Sequence, residues 1–118
     1  MALKNLVSKL TKPVEEHDRE KLVKFCSQLD GCCAIDEIQP RTVTRCVGEI
    51  SSVRIVPRAG APSLEVAITD GRGTVTAVFF GRKKIAGLSP GRRLVVEGMV
   101  APLHHRAFMY NPVYELLP

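Results

Sequence analysis

Arginine and lysine side chains, which can bind phosphate groups, are concentrated in the last two thirds of this 118-residue sequence. Residues 41–118 contain eleven basic and five acidic residues, whereas residues 1–40 contain six basic and seven acidic ones. Nine of the eleven bases are arginine, whose planar guanidinium group pairs well with phosphate and stacks on flat rings. This uneven charge favours a polyanionic ligand for residues 41–118. The alternative is a charged surface that serves only solubility.

A set of candidate ligand-binding residues follows from these charges and from the polar and aromatic residues near them. Aromatic residues make up only 5% of the chain and tryptophan is absent, so any stacking surface is expected to be small. Phe80 is the candidate stacking ring, with burial in the core as the alternative at this position. The candidates are Arg54, Arg58, Thr74, Thr76, Phe80, Arg82, Lys83, Lys84, Arg92, Arg93, His104, His105 and Arg106.

Residue patterns typical of catalysis or of metal binding are missing. The sequence has no phosphate-cradling glycine loop, no nucleophile motif and no HExxH pair. Its four cysteines, Cys26, Cys32, Cys33 and Cys46, form no CxxC pair and have no zinc-site spacing. We therefore expect a binding protein that is not an enzyme and that holds neither a metal nor a cofactor.

The elements that must position the candidates are five short strands. Alternating apolar residues predict strands at about 42–56, 64–69, 74–80, 92–100 and 107–115. In the first strand the alternation slips near Gly48, which predicts a bulge and a bend. A basic segment at 82–88 has a helix-like pattern and separates the third strand from the fourth. This order predicts a mainly β fold, a five-stranded OB-fold barrel with a short helix between strands 3 and 4.

An N-terminal helical extension and linker are predicted for residues 1–40, ahead of the barrel at 41–118. Leu3, Leu6, Val7 and Leu10 have helical spacing, and a second helix at about 14–29 has one apolar stripe of Leu22, Phe25, Cys26 and Leu29. Gly31 is a natural C-terminal cap for that helix. No run approaches the ~20 apolar residues of a membrane span. We therefore expect a cytoplasmic protein without a membrane partner.

Several short motifs, taken in order, resemble a known family. They are Val47-Gly48-Glu49-Ile50, the segment 64–71, Val78-Phe79-Phe80-Gly81, Leu88-Ser89-Pro90-Gly91, Val95-Val96-Glu97-Gly98 and the segment 109–115. Residues 41–118 resemble the OB-fold nucleic-acid-binding domains that occur as small stand-alone proteins in actinobacteria. They are also similar to the wedge domain of the RecG helicase, although the helicase motor is missing. Residues 1–40 match no family known to us.

The resemblance implies that ligand binds on the surface of strands 2 and 3, between the 1–2 and 4–5 loops. In this sequence those loops contain Arg58 and the segment His104-His105-Arg106. Tyr110 and Tyr114, which share a parity with Phe108, are expected to pack the end of the barrel, with stacking on a ligand as the alternative. Glu65 alternates with core positions and is expected to face solvent.

These observations favour binding of single-stranded nucleic acid with little sequence specificity. DNA is favoured over RNA as the ligand. The mechanism would be capture of phosphates by arginine together with limited stacking of bases. The alternative is a protein–protein interaction module in which the barrel and the N-terminal helices contact a protein partner. The sequence does not determine the oligomeric state.

Overall fold

The computed structural model describes residues 16–103 and 106–118. In chain order the described elements are helix α1 (16–27), the 3-10 turn Ile35–Glu37, β1 (Val43–Arg58), β2 (Ala61–Thr69), β3 (Thr74–Phe80), β4 (Arg93–Leu103), β5 (Arg106–Tyr110) and β6 (Val113–Leu116). The mainly β fold predicted from alternation is therefore confirmed. Among the described residues, no helix has the length and apolar character that crossing a membrane requires.

Five of the strands close into a ring because β1 is long enough to pair with two neighbours. Its first half, 43–49, runs antiparallel to β4, and its second half, 49–58, runs antiparallel to β2. β2 pairs with β3, β3 runs parallel to β5, and β5 pairs back onto β4. Closure gives each of these strands two neighbours, which removes the open edges that a flat sheet would have.

The bend that lets β1 serve both sides of the ring lies slightly later than the sequence indicated. The β1–β2 register shifts between Ile50 and Ser52, so Ser51 is the extra residue of the bulge. Gly48 has a different role, because a Cβ atom there would lie 2.7 Å from both Ile68 Cγ2 and the Thr69 carbonyl oxygen. The glycine allows β2 to approach β1 closely just before the bulge.

The helix predicted at 82–88 is absent, and turns connect β3 to β4 instead. A helix of two turns has too few hydrogen bonds to offset the cost of nucleation. Gly81 and Gly87 also adopt positive φ angles of 73° and 86°, which are incompatible with a right-handed helix. The apolar residues Ile85 and Leu88, whose spacing suggested a helix, are instead both buried in the core of the ring.

The predicted fifth strand is two strands separated by a kink. β5 ends at Tyr110, Asn111 takes a left-handed conformation with φ of 51°, and β6 starts at Val113 after Pro112. β5 pairs with the second half of β4, while β6 pairs with its first half. The kink therefore moves the chain from the ring to an added position beside β4, and it breaks the shared parity of Tyr110 and Tyr114.

The core fills the ring with the inward residues of the alternating strands. β2 contributes Leu64, Val66 and Ile68, as predicted, and β3 contributes Val75, Ala77 and Phe79. Of the two adjacent phenylalanines, Phe79 is therefore the core residue, and Phe80 lies on the outer surface.

Helix α1 packs on the outside of the ring and forms a second, smaller apolar cluster. Its residues Leu22 and Cys26 are buried against Val47 of β1 and Val95 of β4. Phe25 and Leu29 also pack there, so the predicted apolar stripe faces the ring. Gly31 has a positive φ of 79°, but the helix ends at residue 27, so this glycine lies in the turn that follows and not at the predicted capping position. The helix predicted at 2–12 lies outside the described residues.

Candidate nucleic-acid interface

The outer face of β2, β3, β5 and the second half of β1 forms a continuous surface. Strand pairing places Arg54, Glu65, Val78 and Tyr110 in one row across this face. The next row contains Ser52, Ala67, Thr76 and Phe108. Because side chains alternate along a strand, Phe80 lies on the same face as Thr76. The structure therefore brings residues from four strands onto the surface that the sequence predicted for binding.

Three aromatic rings follow one another on this face, and we call Phe80, Tyr110 and Phe108 the aromatic row. The rings of Phe80 and Tyr110 are nearly parallel, with an interplanar angle of 8° and centroids 5.5 Å apart. Phe108 and Tyr110 are also inclined by 8°, with centroids 6.2 Å apart. Phe80 is 46% exposed and Tyr110 37%, while Phe108 is buried. Two flat rings are thus accessible to a stacking ligand.

Tyr110 is a correction to the sequence analysis, which expected it to pack the end of the barrel together with Tyr114. Tyr110 and Phe108 lie on the outer face because they alternate with the inward residues Ala107 and Met109 of β5, and the kink at Asn111 separates them from Tyr114. Tyr114, beyond the kink, does pack against the core residue Phe79, edge to face at 5.7 Å. In the sequence, the Asn111-Pro112 pair is the signal that could have predicted the break between β5 and β6.

Asn111 fixes the position of Phe80 relative to Tyr110. Its backbone N–H donates to the Val78 carbonyl oxygen at 2.7 Å. Its side-chain oxygen accepts a hydrogen bond from the backbone N–H of Phe80 at 3.0 Å. Asparagine tolerates the left-handed conformation required here better than most residues do. Sequence reasoning assigned no role to this residue.

A buried carboxylate lies beside the aromatic row and holds two of the predicted arginines. Arg58 Nη2 donates to Glu65 Oε2 at 2.8 Å, and Arg54 Nη2 donates to Oε1 at 3.3 Å. Glu65 is only 5% exposed, so the expectation that it faces solvent is wrong. Burial by itself would raise the pKa of Glu65, but the hydrogen bonds and charges of Arg58 and Arg54 outweigh it and hold the pKa below its usual value. Glu65 therefore stays ionised at neutral pH.

An open cavity of about 330 Å³ lies between this ion-pair group and β5, and we call it the central cavity. Its lining consists of Ser52, Arg54, Glu65, Ala67, Thr76 and Arg106. The guanidinium carbon of Arg106 lies 5.1 Å from the centre of the Phe108 ring, a cation–π contact. Two guanidinium groups, one carboxylate and two hydroxyls therefore surround a space beside the aromatic row.

The other predicted binding residues are distributed more widely. Thr74 is exposed at the start of β3, and Arg82, Lys83 and Lys84 are exposed just after Phe80. Arg92 is exposed before β4. His104 and His105 lie outside the described residues.

Arg93 belongs to the contact with helix α1 and not to the outer face of β2, β3 and β5. Its Nε donates to Glu49 Oε1 at 3.4 Å, and its guanidinium carbon lies 4.3 Å from the centre of the Phe25 ring. These contacts hold its guanidinium group between β1 and helix α1. The structure thus separates Arg93 from Arg54, Arg58 and Arg106.

The cysteines lie closer together than their spacing indicated. Cys26, Cys32 and Cys33 line a cavity of about 250 Å³ beneath α1, and Cys46 is fully buried. Burial, followed by the charge of Asp70, raises the pKa of Cys26 to about 11, and burial raises that of Cys46 to about 12. These two thiols are therefore protonated at neutral pH and unreactive as nucleophiles. Within the described part of the chain, no three His, Cys, Asp or Glu side chains are arranged to hold a metal ion.

Comparison with known proteins identifies a similar fold but no sequence family. No protein-family model and no curated protein matches the chain. Among solved structures, the chain is similar to the replication factor A related protein from Methanobacterium thermoautotrophicum, determined in solution by NMR. The TM-score is 0.55 and the sequence identity 18%, over 73% of this chain and 90% of that one. At this identity the likeness shows a shared fold.

Proposed function

We propose that the protein binds single-stranded nucleic acid on the outer face of β2, β3 and β5, and that DNA is favoured over RNA as the ligand. The observation that carries this proposal is the pair of exposed, parallel rings of Phe80 and Tyr110 with three arginines on the same face. Flat rings accept any base by stacking, and arginines bind the phosphates between the bases. We propose a binding role without catalysis.

Stacking on exposed rings favours single strands over duplexes. In a duplex both faces of each base are covered by the neighbouring base pairs, whereas an unpaired base can be splayed out onto an aromatic side chain. The replication factor A related protein of similar fold is named for a process that acts on DNA, which supports DNA as the first ligand to test. Because stacking does not read base edges, we expect little sequence specificity along the aromatic row.

A protein-interaction module is the second candidate, and a patch of exposed apolar side chains supports it. Val43, Met99 and Val113 are all exposed on β1, β4 and β6, away from the aromatic row. The register places Val43 opposite Met99, and Val113 opposite Glu97 on the same strand as Met99. The apolar stripe of α1 packs on the ring and does not contribute to such a surface. Leu3, Leu6, Val7 and Leu10 lie outside the described residues.

The test of the proposed function compares two tyrosines of nearly equal exposure. Tyr110 is 37% exposed in the aromatic row, and Tyr114 is 36% exposed beyond the kink. Loss of one stacking ring typically costs about 1–3 kcal/mol of binding energy, so we expect Tyr110→Ala to weaken binding to a labelled single-stranded oligonucleotide by about 5- to 150-fold. Phe80→Ala should have a similar effect.

The matched control is Tyr114→Ala, which should leave the affinity unchanged. Each variant is also unfolded in denaturant, so that a loss of binding can be separated from a loss of folded protein. Equal effects of the two tyrosine variants on the folded protein would move the site away from the aromatic row. Absence of any binding at low salt, for DNA and RNA alike, would favour the interaction module.

A further inference from the structure

The central cavity has a mixture of hydrogen-bonding groups that suits a base edge better than a phosphate. Arg54 and Arg106 offer donors, while the carboxylate of Glu65 offers only acceptors. A phosphate group has only acceptor oxygens and would be repelled by the carboxylate. The edge of a nucleobase has both donors and acceptors and can satisfy both kinds of group. The position of the cavity beside the aromatic row makes it reachable from a strand that is stacked there.

Glu65 retains acceptor capacity although it is paired with two arginines. Each of its oxygens accepts one hydrogen bond, from Arg54 Nη2 at 3.3 Å and from Arg58 Nη2 at 2.8 Å. A carboxylate has about four lone-pair sites, so about two remain free. The two arginines also keep the group ionised and hold it in one orientation. An ionised carboxylate cannot donate, and therefore distinguishes an N–H group from a carbonyl oxygen.

Thr76 and Ser52 complete the polar lining of the cavity. Thr76 lies at its floor, almost fully buried between β2 and β5, and Ser52 lies across from it on β1. A hydroxyl group can donate or accept, so these residues can adapt to the rest of a base edge. Glu65 is therefore the one group among these lining residues that requires a donor from the ligand.

We propose that the central cavity binds one nucleobase carrying an exocyclic amino group and that Glu65 determines this preference. The inference rests on the proposed function and adds a specific subsite to it. The amino group of cytosine donates to a carboxylate, a pairing that is established for Glu and Asp side chains. Thymine has a carbonyl oxygen at the same position, and two acceptors would then face each other. The remaining bases stack on the aromatic row without selection.

The test uses two oligonucleotides of about 12 nucleotides, a length within the range bound by one domain of this fold. One is made of thymidine and the other of 5-methyldeoxycytidine, so both bases have the same methyl group and differ only at the hydrogen-bonding edge. Measured above neutral pH, where cytosine is unprotonated, the 5-methyldeoxycytidine strand should bind about tenfold more tightly, a discrimination typical of one specific base contact.

The matched protein variants are Glu65→Gln and Glu49→Gln. The amide of Glu65→Gln can donate as well as accept, so the preference should fall to about twofold or less. Glu49 is also paired with an arginine, Arg93, but lies beside α1, so Glu49→Gln should retain the full preference. The comparison of the two strands on the unaltered protein does not depend on whether Glu65→Gln folds.

The outcomes separate the inference from the function on which it rests. Equal affinity of the unaltered protein for the two oligonucleotides would overturn the base preference, while single-stranded nucleic-acid binding would still stand. A preference that persists in folded Glu65→Gln would overturn the role of Glu65. Failure of both strands to bind would instead contradict the proposed function itself.

Discussion

Asn111 shows how one residue can position the two exposed rings of the aromatic row without belonging to it. Its left-handed backbone ends β5, and its side chain accepts the N–H of Phe80 that lies at the end of β3. The two exposed rings of the aromatic row come from these two strand ends. Their relative position therefore depends on a residue that lies next to the row and is not part of it.

Replacing Asn111 should loosen the aromatic row as well as lower stability. Asn111→Ala places a residue with a Cβ in the left-handed region and removes the acceptor for Phe80, so we expect a loss of about 1–3 kcal/mol in unfolding free energy. Asn111→Gly keeps the backbone conformation and loses only the hydrogen bond, and should therefore be the milder variant. Denaturant unfolding and oligonucleotide binding, measured on both variants, check this. Unchanged stability and affinity in Asn111→Ala would show that the kink is held by other contacts.

At the scale of elements, helix α1 packs on the ring away from the aromatic row. It covers the outer surface of the first half of β1 and of β4, where Val47 and Val95 would otherwise be exposed. The aromatic row lies on a different part of the ring, formed by β3 and β5. Arg19 also donates from Nε to the Gly71 carbonyl oxygen at 2.7 Å, which ties the helix to the β2–β3 turn. We therefore expect α1 to stabilise the fold without direct contact to nucleic acid.

The contribution of α1 can be measured with a core residue and its exposed neighbour. Leu22→Ala removes a buried side chain from the helix–ring cluster and should lower the free energy of unfolding by about 2–5 kcal/mol. Lys21→Ala changes an exposed position on the same helix and should be nearly neutral. Thermal or denaturant unfolding checks both. If the Leu22→Ala protein melts like the unaltered one, the helix is an independent arm and does not stabilise the ring.

At the scale of the whole molecule, the distribution of charge matters more than its total. Residues 41–118 have six more bases than acids, but Glu65 neutralises part of the charge at the centre of the binding face. Arg54 remains well exposed, and the guanidinium group of Arg106 lies over the ring of Phe108. The face therefore has a cationic border around a polar centre, an arrangement that suits a backbone along the border and bases toward the middle.

This arrangement predicts a salt dependence of moderate steepness. If about four to six phosphates are contacted, the logarithm of affinity should fall against the logarithm of salt with a slope of roughly −3 to −4. We expect micromolar or weaker binding near physiological salt. Arg58→Glu and Arg106→Glu should each weaken binding, because each replaces a positive charge on the proposed binding face with a negative one.

Arg45→Glu is the matched control for these charge reversals. Arg45 is also an exposed arginine on a strand. It lies on the first half of β1, opposite Glu97 of β4 in the strand register. Its reversal should have little effect beyond a small change in long-range attraction. A larger loss with Arg45→Glu than with Arg106→Glu would place the phosphate path on the opposite part of the ring.

Local patterns in the sequence determined the strands and most of the core. Alternation on β2 and β3 is a property of adjacent residues, so Leu64, Val66, Ile68 and Val75 could be assigned to the inside before any pairing was known. The apolar stripe of α1 has the same local origin. The strands β1 to β4 could be located individually because turn residues lie on either side of each of them.

The tertiary structure decided which residues meet on the binding face. Glu65 is buried and forms ion pairs with two arginines of β1, and no spacing within β2 contains that information. Tyr110 and Phe108 join Phe80 because β5 runs parallel to β3, a pairing between segments far apart in the chain. Segment 82–88 is not helical because burial of Ile85 and Leu88 in the ring outweighs a weak local preference. Alternation and spacing are local, whereas a site assembled across strands depends on register, which only the closed ring determines.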